Sequence, residues 1–259
     1  MHPILFIFRL THNKQCNQHR RVMGKSIFIA GGNSGIGANL VERLSNSQHY
    51  LHLALRKTEA IGLVKAVKSM QYYDVFEKSE KQLDFPEALD GLVYCPGSIT
   101  LKPFPMVNES DMLKDMEVNA FGAARMVQAA LPALKKSQST GGASIIFFSS
   151  VAAQTGLPFH TSIAMAKAAV EGFALSLASE LAPLGIRVNV IAPSLTDTPL
   201  AEKLLNSDAK LKASANRHPL KRVGTASGVS GLIEYLLSDE AAFVTGQVFK
   251  VDGGLSSLL

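Results

Sequence analysis

The chain has 259 residues, 47% of them hydrophobic and 18% charged, which is long enough for one large α/β domain with a generous core. Its formal net charge is +5, but residues 1–22 carry Arg9, Lys14, Arg20 and Arg21 and no acid, so the remainder is close to neutral and a nucleic-acid-binding role has little support. No uninterrupted apolar run reaches the roughly 18 residues that span a bilayer. The two cysteines, Cys16 and Cys95, form neither a disulfide framework nor a metal-ligand spacing, which points to a cytoplasmic setting and no metal.

The opening segment MHPILFIFRLTHNKQCNQHRR is basic, and its apolar part, Ile4 to Phe8, is too short for the core of a secretory signal. Residues 1–22 read as a disordered extension, with an organelle-targeting role left open, and the folded domain is expected over 23–259. SIFIA (26–30) is a β-branched strand ending in glycines. GANLVERLS (37–45) has helical spacing, with Leu40, Val41 and Leu44 on one face. YLHLAL (50–55) is a second strand, IGLVKAVKSM (61–70) a short helix, and QYYDV (71–75) a third strand. LDGLVYC (89–95) is a fourth, closed by Pro96 and Gly97.

A long helix is expected over 108–136, with Asn108 or Ser110 at its start. ASIIFFSS (143–150) is apolar as a doubly buried strand should be. A helix over 160–182 follows, capped by Thr161 and Ser162 and ended by Pro183 and Gly185. IRVNVIAP (186–193) is a sixth strand, and the polar, lysine-rich 199–223 a mobile helical insertion. GVSGLIEYLLSD is the last helix and GQVFKVDGG the last strand. This alternation predicts a single-domain Rossmann fold: a doubly wound, mostly parallel sheet of about seven strands with helices on both faces.

Gly31, Gly32, Gly35 and Gly37 fall between a strand and a helix, the context a dinucleotide-binding loop needs. Glycine lets the backbone approach a pyrophosphate, and the helix N-terminus offers free N–H groups. At the second strand's end an acid would bind the ribose 2′-hydroxyl of NAD. Arg56 and Lys57 stand there instead, which favours NADP(H) over NAD(H); the bland alternative is a solvated basic pair.

These motifs together resemble the short-chain dehydrogenase/reductase family from about Lys25 to Gly254. AGGNSGIG is similar to the family's TGxxxGxG loop, with Ala30 for the threonine, and implies cofactor contacts at Gly31, Asn33, Ser34, Gly35, Ile36 and Gly37. YYDV resembles the third-strand end, implying adenine contacts at Asp74 and Val75. VNAFG supplies the family's structural asparagine as Asn119, and IIFFSS its serine as Ser150. GIRVNVIAPSLTDTPL resembles the segment that closes over nicotinamide, through Pro193, Leu195 and Thr196. The resemblance implies a homodimer or homotetramer joined through the 108–136 and 160–182 helices.

Two departures matter. The family's fourth-strand NNAG is YCPG here, so only the backbone of Pro96 and Gly97 is left to line the adenosine side, with Tyr94 beside it. The family's tyrosine stands four residues before its lysine and thirteen after its serine; counted from Lys167 and from Ser150, that position is Ile163, which has no proton to give. A related branch, the enoyl-thioester reductases, keeps its tyrosine seven residues before the lysine, which here is His160. Seven residues turn a helix through about 700°, so His160 would share the face of Lys167. A histidine can give a proton; it can also be a loop residue without chemistry. The resemblance implies an NADP-dependent oxidoreductase acting on a small carbonyl or enoyl substrate, with Ser150, Lys167, Asn119 and His160 as catalytic candidates. The alternative is a catalytically silent NADP-binding protein.

Overall fold

The computed structural model describes residues 24–57 and 65–258. The N-terminal extension, and the start of the helix expected over 61–70, lie outside the described residues. Seven parallel strands form one sheet in the order β3-β2-β1-β4-β5-β6-β9. They are β1 (Ser26–Ala30), β2 (Tyr50–Leu55), β3 (Val67–Tyr72), β4 (Gly91–Tyr94), β5 (Ala143–Phe148), β6 (Ile186–Pro193) and β9 (Val248–Val251). A two-stranded parallel ladder pairs β7 (Thr196–Asp197) with β8 (Gly224–Thr225).

Side chains alternate across the strands, so each strand feeds two cores. Ile27 and Ile29 of β1 pack with Leu40, Val41 and Leu44 of α1 (Gly35–Ser45) and with Val229, Ile233 and Leu236 of α7 (Ala226–Leu237). Phe28 and Ala30 face the other way, onto Met126, Val127 and Ala130 of α3 (Gly122–Leu134) and Val170, Ala174 and Ala178 of α4 (Thr161–Leu181). The sheet is therefore covered on both faces, as its near-continuous apolar strands require. Segment 160–184 behaves as a core helix. Thr161–Leu184 has the length and composition of a membrane-spanning helix, yet its buried face packs against this sheet.

The architecture expected from the sequence is met, with local differences. The third strand runs over Val67–Tyr72, starting four residues and ending three residues earlier than QYYDV (71–75), so residues 67–70 are strand and not helix. It is an edge strand whose residues alternate between half-buried and exposed, which leaves it little apolar signal. The long helix is broken into α2 (Glu109–Met116) and α3 by a π-helical turn at Glu117–Phe121. Asn108 is its cap: it accepts from the Asp111 N–H at 2.9 Å, and the Asp111 carboxylate accepts from the Asn108 N–H at 3.2 Å. Thr161 and Ser162 are not a cap pair, because both already lie inside α4 and His160 occupies the N-cap position. The insertion holds α5 (Glu202–Leu205) and α6 (Asp208–Arg217), and the β7–β8 ladder ties its two ends together.

Candidate active site

The strand order reverses between β1 and β4, and in such sheets ligands bind beyond the carboxyl ends of the strands at the reversal. The glycine loop stands there. Gly31 adopts φ +78°, and its N–H donates to the Ala54 carbonyl at 2.9 Å. A Cβ on Gly37 would lie 2.3 Å from the Gly31 oxygen, so only glycine lets α1 start this close to the loop. Ser34 is the N-cap of α1 but its side chain caps nothing, and the first turn carries no acid. The N–H groups of Gly35, Ile36 and Gly37 and the positive end of the helix dipole are thus available to an anion. That cradle has the shape and polarity a pyrophosphate needs. Thr198, beyond β6, closes against it: its Cβ would be 3.2 Å from one added at Gly35.

Arg56 and Lys57 leave β2 exposed on this side, and the Asn33 amide donates to the Lys57 carbonyl at 3.3 Å, joining loop to strand exit. Asp74 caps a 3-10 turn, its carboxylate accepting from the Phe76 N–H at 3.0 Å, and Val75 beside it is buried. Pro96 and Gly97 follow β4, and a Cβ on Gly31 would meet the Pro96 nitrogen at 3.3 Å, so the two loops touch. Tyr94 is no part of this crevice. Its phenol is enclosed in the core, donates to the Val118 carbonyl at 2.8 Å, and has its proton affinity raised by burial. Beyond β6, Pro193 and Leu195 are half-buried and Thr196 is buried, its hydroxyl donating to the Ser194 carbonyl at 3.0 Å.

Lys167 lies buried in the middle of α4 and donates to the carbonyl of Phe148, at the end of β5, at 2.9 Å. Burial pushes its ammonium down to about 8, against the opposing charges of Asp115 and Cys95. Burial likewise raises the Cys95 thiol to about 12, opposed by Lys167. A Cβ on Gly97 would stand 3.4 Å from Asn119 Oδ1 and 3.7 Å from Lys167 Nζ. Gly97, Asn119 and Lys167 thus converge on one spot. Asn119 sits in the π-helical turn, where its amide donates to Ser98 Oγ at 2.9 Å and to the Asp115 carbonyl at 2.8 Å. Its Oδ1 is buried and has no hydrogen-bond partner among the described residues. A buried acceptor left without a donor is costly, so this one suits a bound hydroxyl.

Ser150 ends the fifth strand segment with its Oγ accepting from the Ala152 N–H at 3.2 Å, which leaves the hydroxyl hydrogen free to donate elsewhere. Ser149, by contrast, faces α4 and donates to Glu171 at 2.6 Å. Ile163 is 4% exposed, one turn before Lys167. His160 is not brought into the helix: its φ of −103° and ψ of 9° put it just outside, so the helical phase that aligned it with Lys167 does not reach it. Its Nδ1 lies 2.6 Å from the Pro158 carbonyl. A carbonyl only accepts, so Nδ1 carries the hydrogen and Nε2 of the neutral ring has none. Only an imidazolium at His160 could give up a proton from Nε2.

The sequence reading passed over Asp115, which is 0% exposed and accepts from Ser98 at 2.6 Å, Thr100 at 3.0 Å and Ser162 at 2.6 Å. Its sequence signal was an acid four residues before Asn119, on the buried face of a helix.

A model of the enoyl-(acyl carrier protein) reductase family matches residues 31–256. A tropinone reductase homologue from Arabidopsis thaliana is 34% identical over 247 residues, covering 90% of this chain and 92% of the relative. A short-chain type dehydrogenase/reductase from Mycobacterium ulcerans superposes with a TM-score of 0.80 at 27% identity, covering 90% of each chain. A tyrosine-to-phenylalanine variant of ElxO with NADPH bound superposes with a TM-score of 0.79 at 25% identity, covering 91% of this chain and 100% of that one.

Proposed function

Since the chain belongs to the short-chain dehydrogenase/reductase family, we propose that it is an NADP(H)-dependent reductase of small carbonyl or enoyl compounds. The observation that carries this reading is the convergence of Lys167, Asn119 and Gly97, in the loop whose Pro96 touches the glycine turn at Gly31. Residues 23–259 act as one cofactor-binding domain, with 1–22 outside it.

When bound, the nicotinamide supplies a hydride to the carbon of a polarised C=O or C=C bond. The chain's own residues bind and orient. The α1 N-terminus and the loop from Gly31 to Gly37 hold the pyrophosphate. Arg56, with Lys57 beside it, takes the 2′-phosphate, in keeping with NADPH in the ElxO variant. Asp74, Val75, Pro96 and Gly97 line the adenosine, and Pro193, Leu195 and Thr196 cover the nicotinamide. Lys167 would hold the nicotinamide ribose, Asn119 Oδ1 would accept from a water held beside the lysine, and Ser150 Oγ would donate to the substrate oxygen. The proton that completes reduction comes from water or from His160 as an imidazolium, because Ile163 has none.

The test is loss of NADPH absorbance against a panel of small ketones and enoyl thioesters. Turnover that falls at least about a hundredfold in Lys167→Ala and Ser150→Ala supports the reading. Turnover unchanged in both would sink it. A second reading, a silent NADP-binding protein, is favoured by Ile163 and by YCPG (94–97) in place of NNAG; it expects NADPH binding without turnover.

The same reading makes the protein a cytoplasmic homodimer or homotetramer. Support comes from apolar side chains left exposed on the long helices, Met165 and Leu175 on α4 and Leu113 and Phe121 on the α2–α3 segment. Leu175→Arg should lower the assembly's mass in light scattering; an unchanged mass would remove α4 from the interface.

A further inference from the structure

His218 is a buried polar side chain outside every role assigned above, 3% exposed at the C-terminal end of α6. Both of its ring nitrogens are engaged. Nδ1 lies 2.9 Å from the Ser214 carbonyl, which only accepts, so Nδ1 carries the hydrogen. In the neutral ring Nε2 then accepts, and the donor to it is Ser194 Oγ, at 2.9 Å. Ser194 and His218 are 24 positions apart in the chain, on the two stems of the α5–α6 insertion.

Each stem is also held by the C-terminal strand or the turn after it. On the first, the Ser194 N–H donates to the Val251 carbonyl at 3.2 Å. On the second, the Leu220 N–H donates to the Gly253 carbonyl at 3.2 Å, and a Cβ on Gly253 would stand 3.7 Å from His218 Cβ. The stems meet again at the β7–β8 ladder, where the Gly224 N–H donates to the Leu195 carbonyl at 2.9 Å. The ladder joins backbones; among the described residues, Ser194–His218 is the side-chain hydrogen bond between the stems. A buried ring nitrogen left without its donor is costly, so the pair holds the stems together. We propose that His218 is a positioning residue: acting through Ser194, it holds the segment Pro193–Thr196 in place and ties the α5–α6 insertion to it. Just beyond Thr196, Thr198 abuts Gly35, so a shift of this segment reaches the glycine loop as well. That the segment covers a nicotinamide rests on the proposed function; the latch between the stems does not.

Two substitutions separate the two ring bonds. Glutamine places an amide nitrogen near the position of Nε2 and keeps the link to Ser194, whose Oγ then accepts. Asparagine places its amide near the position of Nδ1 and keeps the link to Ser214 alone. Both remove the ring, so a role in packing would be lost alike in both.

The test compares His218→Gln, His218→Asn and Ser194→Ala in the full chain, by hydrogen exchange and by fluorescence titration with NADPH. In His218→Asn and Ser194→Ala the amides of 194–198 and 218–224 should exchange about tenfold faster, with β1 and β5 unchanged. NADPH affinity should fall about five- to tenfold in both and stay within about twofold of wild type in His218→Gln. The double variant of His218→Asn and Ser194→Ala should lose no more than either alone, because both remove the same bond. Unchanged exchange in the stems, equal damage by glutamine and asparagine, or additive losses in the double variant would overturn the latch. Faster exchange with unchanged NADPH affinity would overturn the positioning role. Should His218→Asn fail to fold, Ser194→Ala, which removes one hydroxyl, carries the same comparison against His218→Gln. If the wild type binds no NADPH, the proposed function fails while hydrogen exchange still decides on the latch.

Discussion

Lys167→Met removes an ammonium that the fold holds at a cost. Burial lowers the lysine from 10.5 to about 8, so the folded protein binds fewer protons than the unfolded chain between those values. Stability therefore rises with pH across that window. The full difference is worth roughly 3 kcal/mol, against which the lost hydrogen bond to Phe148 costs about 1 kcal/mol. The variant should accordingly be the more stable protein at about pH 6.5, by roughly 2 kcal/mol. Between about pH 6.5 and about pH 10 the wild type should gain roughly 2–3 kcal/mol on the variant, since every other group titrates in both. Urea unfolding at several pH values reads this directly. A gap that stays constant with pH would refute the reasoning, because it would mean that Lys167 titrates alike in the folded and unfolded chain.

Arg56→Asp should weaken NADPH binding about tenfold to a hundredfold while leaving NADH binding nearly unchanged, measured by fluorescence titration; equal losses for both would remove Arg56 from the 2′-phosphate. Gly122→Ala should cost about 2–3 kcal/mol in urea unfolding, because a Cβ there would meet Tyr94 Oη and Val75 Cγ2 at 2.3 Å each; a neutral result would contradict the packing at the π-helical turn. If His160 supplies the proton, His160→Phe should lower turnover about a hundredfold in a steady-state assay; unchanged turnover assigns the proton to water. Ile163→Tyr, which places a phenol one turn before Lys167, should raise carbonyl reduction about a hundredfold or more if the pocket is otherwise intact. No gain would show that a phenol at this position is not what limits the rate.

The parts legible in the sequence are those written in local spacing. Gly31, Gly35 and Gly37 announce the strand–loop–helix turn because tight turns and close approach each demand glycine at a fixed offset. Ser150, Ile163 and Lys167 are legible together, because they sit on one strand–loop–helix register. What was not legible depends on tertiary pairing. The edge strand β3 has one neighbour and a half-exposed alternation, so its residues carry the marks of no single element. The start of α4 was misplaced because Phe159 takes φ +68° just ahead of it, which puts His160 at the cap and Thr161 already in the helix. The Asp115 cluster draws on four separate segments, and no window of sequence holds more than part of it.

The central claim is that this site moves a hydride. The direct measurement is a single-turnover reaction of NADPH deuterated at the transferable position, with the reduced products of the ketone and enoyl-thioester panel examined by mass spectrometry. The account predicts a product carrying one deuterium at the former carbonyl or enoyl carbon, formed in step with loss of NADPH absorbance. NADPH that binds but keeps its deuterium across the whole panel would contradict it.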